Sequence, residues 1–337
     1  MLRLNALQET TMNEIPSNNI SAALNLYDLN ESERGCRLCP LECGADRAAV
    51  RGLCGVGGFS PMQLARRDPY VLAHIARAAR HYYEEPPISG TRGSGAIFFS
   101  GCNMACVFCQ NYVISQSVKG RLCDDAELSE IMLRLESLGS HNINLVTPSP
   151  HARLIEKAIL RSRSEGLSIP IVYNTNSYEK PDQLKRLEGL IDIYLPDLKY
   201  RSTIAAKMYS ERGDYFTVAS EAILEMNRQV GALDCDTDGI AHRGMIVRHL
   251  VLPGSVDEAR GVLDWISDML PSDTHISLMS QYTPMGALPK PLDRRILKRE
   301  YDRALSHALS LGFVNIYTQK LSSASSSYTP EFNEYFE

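Results

Sequence analysis

The sequence predicts an α/β fold: an open, partial (β/α)6 barrel preceded by a small Cys-rich metal-binding segment. Three observations predict it. Short apolar runs alternate with amphipathic stretches between residues 95 and 320. The runs are too few to close an eight-stranded barrel. Seven of the nine cysteines fall into two tight groups, one ahead of the alternation and one directly after its first run.

Residues 1–34 are rich in Asn, Ser and Glu and read as a flexible N-terminal extension. Residues 35–91 form the next unit. Its first part, 35–60, has many Cys and Gly but few apolar side chains, so a metal has to organise it. Its second part, 69–83, is dominated by Ala and Arg and reads as a linker helix, broken by Glu84-Glu85-Pro86-Pro87. The barrel spans 92–320. Apolar runs at 96–100, 143–147, 169–173, 191–195, 245–252, 275–279 and 314–317 are bounded by turn residues, as strands buried on both faces are. Helical patterns fill 124–138, 151–165, 181–188, 218–229, 256–269 and 293–311. Asp257 and Asp293 stand at helix starts, and Gly139, Gly166 and Gly312 at helix ends. Strand–helix alternation implies right-handed crossovers and a parallel sheet, with the chemistry at the C-terminal ends of the strands. The tail, 321–337, is Ser-rich and then acidic; composition does not decide between disorder and docking on the barrel.

The 337-residue chain is 44% hydrophobic and 22% charged, enough to fill a sizeable core. A formal net charge of −5 provides no overall basic field to recruit nucleic acid. No signal peptide or spanning apolar segment is evident, so the expected location is the cytoplasm, without membrane attachment. Disulfides are rarely stable there, and clustered cysteines read first as metal ligands. Cys123 and Cys235 stand apart and read as unliganded thiols.

The second group is Cys102-Asn-Met-Ala-Cys106-Val-Phe-Cys109, directly after the first barrel strand. A [4Fe–4S] cluster normally takes four thiolates. Three ligands leave one iron open, and an open iron can chelate an amine and a carboxylate, both present on the methionine end of S-adenosylmethionine. The bland alternatives are a zinc site completed by His74 or His81, or cysteines packing as small hydrophobes.

The CxxxCxxC spacing with Phe108 before the last cysteine resembles the radical SAM signature. Over residues 92–320 the chain is similar to the pyruvate formate-lyase activating enzymes, and within them to the PflX-like branch with an N-terminal Cys cluster. The matching stretches are GSGAIFFSGCNMACVFCQNY, HNINLVTPSPH, IPIVYNTNSYE, DIYLPDLKY, RGMIVRHLVLPG and SLMSQYTP. The resemblance implies a TIM-type partial barrel holding a [4Fe–4S] cluster and S-adenosyl-L-methionine. It implies reductive cleavage to a 5′-deoxyadenosyl radical, hydrogen abstraction from a substrate, a reductant such as flavodoxin or ferredoxin, and a protein as candidate substrate. It also implies a cofactor site. Thr147 falls in Thr-Pro-Ser, where the family often has a Gly-Gly-Glu turn for the methionine amine. Asn174 and Thr175 align with an Asp-Thr pair, Asp197 and Lys199 match an Asp-Leu-Lys, and Arg248 follows the same pattern, with Gln281 and Tyr282 ending the sixth strand. His249 reads as a core histidine, and Asn142 and Asn144 as hydrogen-bonded cappers.

Cys36, Cys39, Cys43 and Cys54 complete a second four-thiolate set, which suits either a closed Fe–S cluster or zinc. The leading expectation is a radical SAM oxidoreductase, with glycyl-radical activation of a partner as its reaction. A small molecule, peptide or nucleotide is the alternative target. A non-catalytic electron carrier or a zinc-fastened binding module is the rival from another class.

Overall fold

The computed structural model describes residues 35–321 apart from Arg66 and Ala287, together with Phe332. The expected extension at 1–34 and almost all of the tail lie outside the described residues. The backbone of the fold is a run of seven strands, each parallel to its neighbour: β2 (Ser94–Phe99), β4 (Ile143–Val146), β5 (Ile171–Thr175), β6 (Ile193–Pro196), β8 (Ala241–Leu250), β9 (His275–Met279) and β10 (Ile316–Thr318). Between β2 and β6 every strand residue is buried, which explains why these segments read as continuous apolar runs rather than alternations. β10 and β2 are not paired, so the sheet stays open as expected.

β1 (Ala73–His81) lies antiparallel to β2 and carries the short β3 (Arg121–Cys123) on its other side. β7 (Asp234–Cys235) pairs with β8. β1 corrects the expected linker helix at 69–83. Only Pro69–Val71 turns helically, capped by Asp68, and the Ala- and Arg-rich stretch after it is extended. Alanine favours a helix, but here it packs flat between two strands, and register with Ser94–Phe99 overrides the local preference.

Three helices have four residues each: α1 (Pro61–Leu64), α2 (Pro86–Ser89) and α3 (Tyr112–Ser115). Helices then follow the parallel strands: α4 (Asp125–Ser137), α5 (Ala152–Ser164), α6 (Pro181–Arg186), α7 (Thr203–Ser210), α8 (Tyr215–Val230), α9 (Val256–Met269) and α10 (Lys298–Ser310). Asp124 and Glu127 cap each other at the start of α4, and Gly139, Gly166 and Gly312 take positive φ past α4, α5 and α10. Asp257 lies in the first turn of α9. Asp293 does not start α10. The carboxylate of Glu300 accepts from the Leu297 and Gly254 amides and from Arg294, so the helix begins at Lys298. α7 was not foreseen; Ser202 caps it by accepting from the Ala205 amide. No helix is long and apolar enough to cross a membrane among the described residues.

Candidate active site at the strand ends

Cys102, Cys106 and Cys109 line one cavity of about 240 Å³, together with Thr147, Asn174, Thr175, Asp197, Lys199 and Arg248. All six residues expected to hold the cofactor therefore share one space with the three cysteines. Gln281 lines it too, whereas Tyr282 turns away and donates to the Leu292 carbonyl at 2.5 Å. This convergence follows from topology, since each residue lies at or just past the C-terminal end of a parallel strand.

The cysteine loop is pinned from outside itself. Asn103 donates to the Tyr178 carbonyl at 2.6 Å and accepts from Asn176 at 2.9 Å. Arg212 donates to the Asn103 carbonyl at 3.0 Å, and the Val107 amide to the Tyr209 carbonyl at 2.9 Å. Phe108 meets Tyr200 and Tyr282 edge-on at 6.4 and 6.2 Å. Each sulfur also receives a donor: Asn176 Nδ2 at 3.5 Å from Cys102, Ser210 Oγ at 3.0 Å from Cys106, and Ser115 Oγ at 3.4 Å from Cys109. Burial first, then the neighbouring cysteines, push the Cys102 and Cys109 thiols up. Three half-buried sulfurs, each facing a donor and sharing one cavity, suit thiolates bound to iron, which removes their protons outright. The residues present fit a three-thiolate cluster.

Next to them lies an ion network. Arg248 donates through Nε to Asp197 Oδ1 at 2.9 Å and through Nη2 to Asn174 Oδ1 at 2.5 Å, and Lys199 Nζ reaches Asp197 Oδ2 at 2.5 Å. Burial opposes charge on Asp197, yet Arg248 and Lys199 together hold its carboxyl below the usual range. Asp197 and Lys199 thus form the ion pair that a bland reading foresaw while also lining the site. Thr147 takes a left-handed conformation at φ 63°, and its amide donates to the Asn174 carbonyl at 3.0 Å. His249 is a satisfied core histidine, its Nδ1 2.7 Å from the Leu198 carbonyl. Asn142 and Asn144 cap no helix. They sit on and beside β4, where Asn142 binds Ser94 and the Ile88 carbonyl, and Asn144 donates to Glu84.

Sequence reasoning missed Glu84, which accepts from Asn144 at 3.0 Å, Asn174 at 3.2 Å and Arg248 at 3.3 Å. It also missed the sulfur donors Asn176, Ser115 and Ser210, and Glu179. Burial pushes Glu179 up to about 7 although Ser149, Thr175 and Tyr173 all donate to its Oε1. Nothing local in the sequence marks these residues.

The first cysteine group lies against the second: the Cys102 amide donates to the Cys54 carbonyl at 3.0 Å. Gly52 leaves its side free for sulfur; a Cβ there would stand 3.2 Å from Cys43 Sγ and 3.6 Å from Cys54 Sγ. Burial pushes Cys39 up to about 12, with Cys54 and Cys36 adding to it. Arg47, 1% exposed, donates to the Pro150 carbonyl at 2.8 Å. The guanidiniums of Arg47 and Arg153 lie 5.3 and 5.1 Å from the Tyr70 ring. None of the nine cysteines is in a disulfide, and among the described residues no three His, Cys, Asp or Glu side chains form a single-ion site.

The radical SAM superfamily model matches residues 96–266. A relative, the uncharacterised protein MJ0674 of Methanocaldococcus jannaschii, is 27% identical over 296 residues, covering 84% of this chain and 77% of its own. Among solved structures, AdoMet-bound anSMEcpe aligns with a TM-score of 0.45 and 14% identity, covering 64% of this chain and 60% of its own. Streptococcus suis SuiB bound to S-adenosylmethionine aligns at 0.43 and 14% identity, covering 66% of this chain and 49% of its own. This chain thus spans between about half and three fifths of those two structures. The chain belongs to the radical SAM superfamily, which implies a [4Fe–4S] cluster and S-adenosylmethionine.

Proposed function

We propose that the protein is an oxidoreductase that cleaves S-adenosylmethionine reductively and uses the product radical to abstract hydrogen. The observation that supports this best is the shared cavity: three cysteines and the six expected cofactor residues line one space at the strand ends. When bound there, the cluster and cofactor supply one-electron cleavage to methionine and a 5′-deoxyadenosyl radical. The chain's own residues bind and aim. Cys102, Cys106 and Cys109 hold the iron, and Asn176, Ser210 and Ser115 stabilise their negative charge through hydrogen bonds. Lys199 and Arg248 present positive charge to a carboxylate. Thr147, Asn174, Thr175 and Asp197 offer oxygens to an amine or a ribose, and Phe99, Phe108 and Met279 exclude water.

The resemblance to activating enzymes supports a glycine Cα–H on a partner protein as the target, with flavodoxin or ferredoxin as reductant. A small molecule, peptide or nucleotide is the second reading, favoured by the polar side chains of Glu84, Asn174, Asn176 and Gln281 that line the cavity. Cys36, Cys39, Cys43 and Cys54 make a second metal site, which we read as an Fe–S cluster, supported by the sulfur-facing Gly52 and the adjacent Arg47. Cysteines grouped as metal ligands rather than paired in disulfides support a cytoplasmic location.

The test is anaerobic incubation with S-adenosylmethionine and dithionite. 5′-Deoxyadenosine should form, and Cys106→Ala should abolish it while preserving the far-ultraviolet circular dichroism. An inert electron carrier or a zinc module would form none.

A further inference from the structure

Beside the cysteine cavity lies a second, acidic compartment. A space of about 130 Å³ is lined by Glu84, Glu85, Arg248, Ser277, Gln281 and Tyr317, among others. Glu84, Arg248 and Gln281 also line the cysteine cavity, so the two spaces share a wall. Glu85 is 8% exposed, and its Oε2 has no hydrogen-bond partner among the described residues. A buried acceptor with no donor is costly unless a ligand supplies one.

Charge points the same way. Glu84, Glu85 and Asp197 place three carboxylates around the two spaces, against the two cations Arg248 and Lys199. Asp197 engages both cations, and Glu84 shares Arg248. Burial pushes the Glu85 carboxyl up and Glu84 adds to it, while Arg248 and a hydrogen bond from Ser277 pull against it.

We propose that this compartment binds a cationic group of the hydrogen donor, an ammonium or a guanidinium, and thereby places a neighbouring C–H bond at the cysteine cavity. The inference rests on the radical reading above and names its substrate class: a donor carrying a positive charge beside the reacting carbon. That donor is a small amine or a peptide segment with a Lys or Arg side chain. Arg248, shared by both spaces and already paired with Asp197, leaves Glu85 to the incoming cation.

The test uses reconstituted protein loaded with S-adenosylmethionine, titrated anaerobically by calorimetry at constant ionic strength. The probes are n-butylammonium and methylguanidinium, with n-butanol and butyrate as neutral and anionic counterparts. Both cations should bind about tenfold or more tightly than either counterpart, and Glu85→Gln should remove that preference, since a buried charge-assisted contact carries at least that factor. If Glu85→Gln does not fold, the wild-type charge series decides alone. Equal binding of n-butanol and butylammonium overturns the inference, as does a folded Glu85→Gln with unchanged cation affinity. Amines that weaken S-adenosylmethionine binding would assign the compartment to the cofactor and overturn it too. Deoxyadenosine formation without charge preference refutes only this inference; absence of deoxyadenosine refutes the reading beneath it.

Discussion

Ser210 shows how single side chains set the chemistry of the site. Its hydroxyl donates to Cys106 Sγ at 3.0 Å and stands 2.7 Å from the Tyr200 hydroxyl. A donor at a cluster thiolate stabilises the more reduced, more negative state, so Ser210→Ala should lower the cluster's midpoint potential. Equating one hydrogen bond with about 1 kcal/mol gives a drop on the order of 40 mV for a one-electron couple, readable by redox titration. Glu179 makes a pH prediction. Its folded value of about 7 lies above the ordinary 4.5, so the folded chain holds this proton more tightly than the unfolded chain. Stability should therefore fall as pH rises through that window, by roughly 3 kcal/mol at most, and level off above it. Glu179→Gln should flatten that slope in chemical denaturation across the same range. Asp197 runs the other way. Its contribution is complete above the ordinary carboxylate value and disappears as pH falls through the lower folded one. Asp197→Asn leaves Arg248 and Lys199 without their shared counter-ion and should cost about 3 kcal/mol.

At the scale of elements, the Gly101–Cys102 peptide joins the two cysteine groups. Gly101 has φ 90°, and a Cβ there would lie 2.7 Å from the Cys54 carbonyl oxygen. Gly101→Ala should cost about 2 kcal/mol from the positive φ and the clash together, and lower the iron retained after reconstitution. What the sequence made legible follows from the range of each interaction. The barrel strands were readable because strands buried on both faces are apolar throughout, and Cys102, Cys106 and Cys109 because their ligand spacing is local. Asp197, Lys199 and Arg248 came through resemblance, and the structure adds the bonds that join them. β1 was misread because alanine's helix preference is a local quantity, whereas its pairing with β2 is tertiary. Glu84 and Glu85 were hidden by that error. Taken as part of the break after a helix, they instead follow a strand, and Glu84 meets Arg248 164 positions further on.

For the whole molecule, the central question is how the Cys-rich segment and the barrel act together. The Arg47 hydrogen bond to the Pro150 carbonyl, the Tyr70 ring contacted by two guanidiniums, and the backbone hydrogen bond from Cys102 to Cys54 fasten 35–59 beside the cysteine cavity. Arg47→Ala removes the first and weakens the second. It should cost about 2 kcal/mol and expose the segment to limited proteolysis ahead of the barrel. Everything else depends on three sulfurs leaving an iron corner open to the cofactor. Electron paramagnetic resonance of the anaerobically reconstituted, dithionite-reduced protein tests that most directly. The account predicts a [4Fe–4S]⁺ signal whose g-values shift when S-adenosylmethionine is added, whereas a cluster signal that ignores the cofactor would contradict it.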